Sequence, residues 1–138
     1  MKLNRQAHKL LIVDDDLDTV GLLRLVLQRR GYEVSTATCW DEIADRLRLV
    51  DAEKRAFDLI ILDVMMPERS GFDIFNALLV AMHPMPPVIF LSAKSSVETM
   101  VKAQEIGAAK YLVKPTTPDK LITAVETVLQ QQQTRRVP

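Results

Sequence analysis

Apolar positions along the chain alternate between two kinds of pattern. Leu10 to Val13, Leu59 to Leu62, Val88 to Leu91 and Tyr111 to Val113 are short, nearly unbroken apolar runs. They lack a two-residue alternation, as strands covered on both faces do. A fifth run, Tyr32 to Ala37, alternates through Tyr32, Val34 and Thr36 and predicts an edge strand. Between the runs, apolar residues recur at helical spacing. Val20, Leu23, Val26 and Leu27 form one stripe, with Gly31 where a C-terminal cap belongs. Ile43, Leu47 and Val50 form a second, and Phe72, Phe75, Leu78 and Leu79 a third. Val97, Val101 and Ile106 form a fourth, closed by Gly107, and Leu121, Val125, Val128 and Leu129 a fifth, with Pro118 in its first turn.

Strand therefore precedes helix five times, which predicts an α/β fold: a five-stranded parallel sheet with helices on both faces. In such a sheet, sites form beyond the carboxyl ends of the strands. Those ends carry the chain's most distinctive chemistry. The first strand runs into Asp14-Asp15-Asp16, the third into Asp63, the fourth into Ser92 and the fifth into Lys114-Pro115. Each feature alone has an ordinary structural role, as a helix cap, a turn residue or a strand exit. Together, at one edge, they predict a cluster of carboxylates with one hydroxyl and one ammonium. Crowded carboxylates repel unless one is protonated or a cation joins them. Mg2+ prefers such oxygen ligands, and one carboxylate could then attack phosphorus while the metal, the ammonium and the hydroxyl stabilise the transferred group.

Length and composition narrow the classes. At 138 residues the chain predicts one domain, and its 48% hydrophobic content argues against disorder. Eighteen basic residues offset 18 acidic ones, so gripping nucleic acid by bulk charge is not expected. The single cysteine, Cys39, excludes a disulfide scaffold. No apolar run is as long as a membrane span, and Met1 to Lys9 lacks the apolar stretch of a signal peptide. The expectation is a cytoplasmic protein with residues 1–8 as an N-terminal extension, 9–130 as the domain, and 131–138 as a polar tail or the start of a linker.

The segments Leu-Ile-Val-Asp-Asp-Asp, Leu-Ile-Ile-Leu-Asp-Val-Met-Met-Pro, Phe-Leu-Ser-Ala-Lys and Tyr-Leu-Val-Lys-Pro, with Gly71 and Gly107-Ala108-Ala109, resemble the receiver domain of bacterial two-component response regulators. The resemblance runs from about Lys9 to Leu129. It implies a flavodoxin-like (βα)5 fold with strand order 2-1-3-4-5. It also implies a phosphorylation switch with Asp63 as phosphoacceptor, and with Ser92 and Lys114 on the phosphoryl oxygens. Mg2+ would be held by Asp14, Asp15, Asp63 and the Met65 carbonyl, and Tyr111 would be the switch residue. The Lys114–Pro115 bond would be cis. The implied partner is a sensor histidine kinase or phosphotransfer protein, docking on Asp18, Thr19, Leu22, Pro115 and Thr116. A homodimer through the fourth helix, fifth strand and fifth helix is also allowed. Ser92 stands where threonine is commoner, and Thr116 where phenylalanine is frequent. The stretch from Val50 to Phe57 is slightly long.

Two other classes compete. Asp14-Asp15-Asp16-Leu17-Asp18-Thr19 also resembles the first motif of haloacid-dehalogenase-type phosphatases, with Asp14 as nucleophile and Asp16 as general acid. No late acidic motif follows Lys114 to complete that pattern. The third class is a receiver-fold binding module that is never phosphorylated. Trp40 is expected to lie too far from the acidic edge to report on it.

Overall fold

The computed structural model describes residues 7–53 and 56–136. Strand and helix alternate throughout: β1 (Lys9–Val13), α1 (Leu17–Arg29), β2 (Glu33–Ala37), α2 (Trp40–Glu53), β3 (Leu59–Leu62), α3 (Gly71–Ala81), β4 (Val88–Ser92), α4 (Val97–Ile106), β5 (Lys110–Val113) and α5 (Pro118–Arg136). The strands are parallel and ordered β2-β1-β3-β4-β5. This is the flavodoxin-like arrangement that the resemblance implies.

Alternate residues of each strand feed two cores. Leu11, Val13, Ile60, Leu62, Val88 and Phe90 pack with Ile43 of α2, Phe72, Phe75 and Leu78 of α3, and Ala103 of α4. Leu10, Ile12, Leu59, Ile61, Ile89 and Leu91 pack with Val20, Leu23 and Leu27 of α1 and Leu121, Val125 and Val128 of α5. Being covered on both faces, β1, β3 and β4 are fully buried, which is why they read as unbroken apolar runs. β5 departs from that expectation. It is the second edge of the sheet, and its residues are exposed or half-buried, because only β4 flanks it.

Local chemistry sets the helix ends. Asp16, Ser70 and Ser96 cap α1, α3 and α4 by accepting from the backbone N–H groups of Asp18, Asp73 and Thr99. Gly107 closes α4 at φ 105°, in the left-handed region where a Cβ is unfavourable. The stripes on α1, α3 and α5 largely face the cores, but that on α4 does not. Val97 is 74% exposed and Val101 44%, and Ala103 is the buried residue of this helix. Val50, in the α2 stripe, has a side chain outside the described residues.

The stretch expected as a polar tail or the start of a linker is helical as far as Arg136, the last residue of α5. Gln and Arg are good helix formers, so a helix anchored by Leu121, Val125 and Val128 can propagate through them. Pro138 and residues 1–6 lie outside the described residues. Among those described, no helix is long and apolar enough to cross a membrane.

Candidate phosphoryl-transfer site

Strand register builds the site. Val13 pairs with Leu62, and Leu62 with Phe90. The ladder continues one residue past the strand ends. Asp63 N–H donates to the Val13 carbonyl at 2.9 Å, Asp14 N–H to Ala37 at 3.1 Å, and Lys114 N–H to Ser92 at 2.8 Å. Asp14, Asp63, Ser92 and Lys114 thus converge at the carboxyl edge because each ends, or immediately follows, an aligned strand.

Asp14 and Asp63 are 2% and 4% exposed, whereas Asp15 is open to solvent. Carboxylate oxygens of Asp14, Asp15 and Asp63 lie within 4.8 Å of one another. Such a set of hard oxygen donors suits a divalent cation that keeps several waters. The Lys114 ammonium donates to Asp14 Oδ2 at 2.6 Å and to Asp63 Oδ2 at 3.5 Å. Asp63 Oδ1 accepts the Met65 N–H at 3.1 Å, so the chain following Asp63 folds back on its own side chain.

The electrostatics follow from this crowding. Burial first, and the Asp14 charge in addition, push Asp63 up to about 6 against the pull of the Met65 N–H and Lys114. Burial works against the Lys114 ammonium, but its hydrogen bond and charge pairing with Asp14, then Asp63, outweigh it and raise its pKa. A raised acid beside a buried carboxylate is the signature of a site short of positive charge, which a cation would relieve.

Ser92 is fully buried, and its hydroxyl accepts the Lys94 N–H at 3.2 Å. The Tyr111 hydroxyl donates to the Lys94 carbonyl at 2.7 Å, so the tyrosine is tied to the segment that leaves Ser92. The Lys114–Pro115 bond is cis, as the resemblance implies, and so is His83–Pro84, which nothing in the sequence pattern marks.

Gly71 also belongs to the site. Its N–H donates to the Val64 carbonyl at 2.7 Å, and a Cβ there would meet the Asp63 carbonyl oxygen and lie 2.7 Å from Val64 Cα. The first residue of α3 therefore packs against the backbone that carries Asp63, where only hydrogen fits.

The geometry separates the three aspartates that follow β1. Asp16 Oδ1 accepts the Asp18 N–H at 3.1 Å and Oδ2 the Thr19 hydroxyl at 2.7 Å. The Thr19 hydrogen bond first, and the backbone N–H groups of Asp18 and Thr19 with it, hold the Asp16 carboxyl below its ordinary value. Asp16 is thus an exposed, ionised helix cap, unsuited to the general-acid role that a dehalogenase-type phosphatase requires. Asp14 Oδ1 accepts the Asp16 N–H at 3.0 Å and Oδ2 the Lys114 ammonium at 2.6 Å.

Trp40 opens α2 and meets the loop that follows Asp63 at its far end. Its ring sits beneath the guanidinium of Arg69, 4.8 Å from the ring centroid, and Arg69 lies on the loop that also carries Met65. No local pattern links these two residues, since they meet only through tertiary packing.

A doubly wound parallel sheet with an acidic cluster, a lysine and a hydroxyl at its carboxyl edge defines a phosphoacceptor class of α/β domain. The chain belongs to the response regulator receiver domain family, whose model matches residues 10–126. It is 37% identical over 120 residues to response regulator SaeR of Staphylococcus epidermidis, covering 87% of this chain and 49% of that protein. It is 39% identical over 122 residues to transcriptional regulatory protein PcoR of Escherichia coli, covering 88% and 51%. A CheY-like receiver domain from Methanospirillum hungatei superposes with a TM-score of 0.81 at 25% identity, over 94% of this chain and 99% of that one. The chain thus spans about half the length of these curated relatives. A response regulator receiver domain is the phosphorylation-regulated module of a two-component system, and that regulatory role is the one the family assigns to this domain. Neither the phosphatase nor the non-phosphorylated module is favoured.

Proposed function

We propose that Asp63 accepts a phosphoryl group from the phosphohistidine of a sensor histidine kinase or phosphotransfer protein. A carboxylate oxygen of Asp63 attacks phosphorus, the P–N bond to imidazole breaks, and the imidazole leaves with the bonding pair and takes up a proton. Asp14, Asp15, Asp63 and the Met65 carbonyl would hold Mg2+. Bound there, the cation supplies charge neutralisation for the incoming phosphoryl oxygens. The Lys114 ammonium and Ser92 hydroxyl contact the other oxygens. The observation that carries this reading is the meeting of Asp14, Asp15 and Asp63 oxygens within 4.8 Å beside the Lys114 ammonium.

Once Asp63 carries the phosphoryl dianion, Ser92 is drawn towards it and Tyr111 gives up its Lys94 partner to fill the space left. The exposed Val97, Met100 and Val101 of α4, next to β5 and α5, form the face whose partner preference changes. A homodimer through that face is one use of it. Water attacking the acyl phosphate resets the switch.

The kinase docks on α1 and the segment after β5. Leu22, which could have been core, is 59% exposed, and Leu17 and Leu25 are exposed beside it. Asp18 and Pro115 are exposed, and Thr19 and Thr116 half-buried, as docking residues must be at least in part. The zero formal charge supports a domain that does not itself bind nucleic acid, and the composition supports a cytoplasmic location without membrane attachment.

Acetyl phosphate with Mg2+, followed by borohydride trapping and mass spectrometry, tests the assignment. Label on Asp63 is the expected result. Label on Asp14 would return the phosphatase reading.

A further inference from the structure

The loop from Asp63 to Ser70 carries both the phosphoacceptor and Met65, yet its two ends are held very differently. At the α3 end the Gly71 N–H and the absence of a side chain lock it to the Val64 backbone. Its outer flank crosses the start of α2 over a cleft of about 180 Å³ lined by Thr38, Cys39, Trp40, Met66, Pro67 and Arg69. Met66 is partly buried against the core beside Trp40, and the Arg69 guanidinium lies over the indole at 4.8 Å.

We propose that the Arg69–Trp40 stack is a positioning clamp: it fixes the outer flank of the Asp63–Ser70 loop, and so sets how well the Met65 carbonyl and Asp63 receive the cation. The inference rests on the metal reading given above. The carboxylate oxygens of the cation site come from Asp14, Asp15 and Asp63, so Arg69 and Trp40 act through the loop. Trp40 is well suited to be the fixed partner. It opens α2, whose first turn is braced by the Glu42 carboxylate accepting from both the Thr38 N–H and the Thr38 hydroxyl, at 2.6 Å each. The indole therefore stands on a rigid helix end while Arg69 comes from the loop that must be placed. A cation–π contact of this kind limits the effect to about a two- to fivefold change in affinity. The coupling is reciprocal, so cation binding that draws in the loop also changes the environment of the indole. Trp40 is the only tryptophan of the chain, which makes its emission a specific readout.

Mg2+ is titrated by calorimetry into wild type, Arg69→Ala, Arg69→Lys and Trp40→Phe, with emission of Trp40 followed in parallel for the proteins that retain it. Thermal melts confirm that each variant folds. Arg69→Ala is expected to bind Mg2+ about two- to fivefold more weakly. Arg69→Lys and Trp40→Phe, which keep a cation and a ring, should restore most of the affinity. Wild-type emission should shift on Mg2+ addition, and shift less in Arg69→Ala. A folded Arg69→Ala that binds as wild type does, or wild-type emission indifferent to bound Mg2+, overturns the clamp alone. A wild type that takes up no Mg2+ overturns the metal reading and the clamp with it.

Discussion

The Lys114 ammonium lies closer to Asp14 than to Asp63, at 2.6 Å against 3.5 Å. In the resting site this lysine is chiefly the counter-ion of a buried carboxylate. Removing it leaves Asp14 and Asp63 facing each other uncompensated. Breaking a buried pair from one side costs about 3–5 kcal/mol, and the partial exposure of Lys114 lowers that to about 2 kcal/mol here. Lys114→Ala should therefore melt earlier without divalent cation and recover most of the loss in millimolar Mg2+, while phosphorylation by acetyl phosphate falls sharply. An unchanged metal-free melting temperature would show that the pair is not a stabilising one.

The raised pKa of Asp63 carries a sign. The native state holds a proton on this group up to about pH 6, whereas an ordinary aspartate releases it near 3.8. The native state thus binds more protons in that interval, and the stability this group contributes is present below the unfolded value and lost as pH rises through the folded one. Without metal, Asp63→Asn should be more stable than wild type at pH 7.5, by at most about 3 kcal/mol, with the gap closing towards pH 4. Chemical denaturation at a series of pH values measures this, and a gap independent of pH would contradict it.

Two glycine substitutions should part company. Gly71→Ala drives a methyl group into the Asp63 and Val64 backbone, whereas a Cβ at Gly21, within α1, meets nothing within 4 Å. The first should cost about 1–3 kcal/mol and displace Asp63. The second should be neutral or stabilise by up to about 1 kcal/mol through helix propensity. Urea melts and acetyl phosphate labelling on both proteins check the pair, and equal effects would remove Gly71 from the support of the site.

The lifetime of the phosphorylated state should depend on Met65 and Lys94, which follow Asp63 and Ser92 by two residues each. Both are exposed. Met65 has no strong group with which to orient an attacking water, and Lys94 offers only donors. Met65→Asn, Lys94→Glu should lose its phosphoryl group about tenfold faster or more, since orienting the water lowers the barrier. Decay of trapped phospho-Asp63 measures it, and a double variant no faster than wild type places the control of lifetime elsewhere.

Docking should be separable from chemistry. Leu22→Ala and Thr19→Arg should slow phosphotransfer from the cognate kinase by about tenfold, as loss of interface anchors does, while labelling by acetyl phosphate stays unchanged. Equal loss with both donors would mean that α1 does not form the docking surface.

Much of this molecule was legible because strand and helix carry different apolar periods, and because a parallel sheet sends all its carboxyl ends to one edge. Unbroken runs at β1, β3 and β4 announced strands buried on both faces, and the residues just beyond them, Asp14, Asp63, Ser92 and Lys114, announced where chemistry would gather. The remainder depended on which distant segments meet. Asp14, Asp15 and Asp16 are chemically identical in sequence, yet Asp16 turns to its own helix while Asp14 turns to Lys114. An apolar stripe states that a helix has a greasy face but not that anything covers it. The α1 and α5 stripes found the sheet, whereas Val97 and Val101 of α4 remained outside. The same holds for β5, whose composition resembles a central strand but whose place at the sheet's edge leaves it half covered. Trp40 met Arg69 for the reason that no period could foretell: side-chain partners across loops are chosen by the packing of whole elements, a property of the assembled chain and not of any window along it.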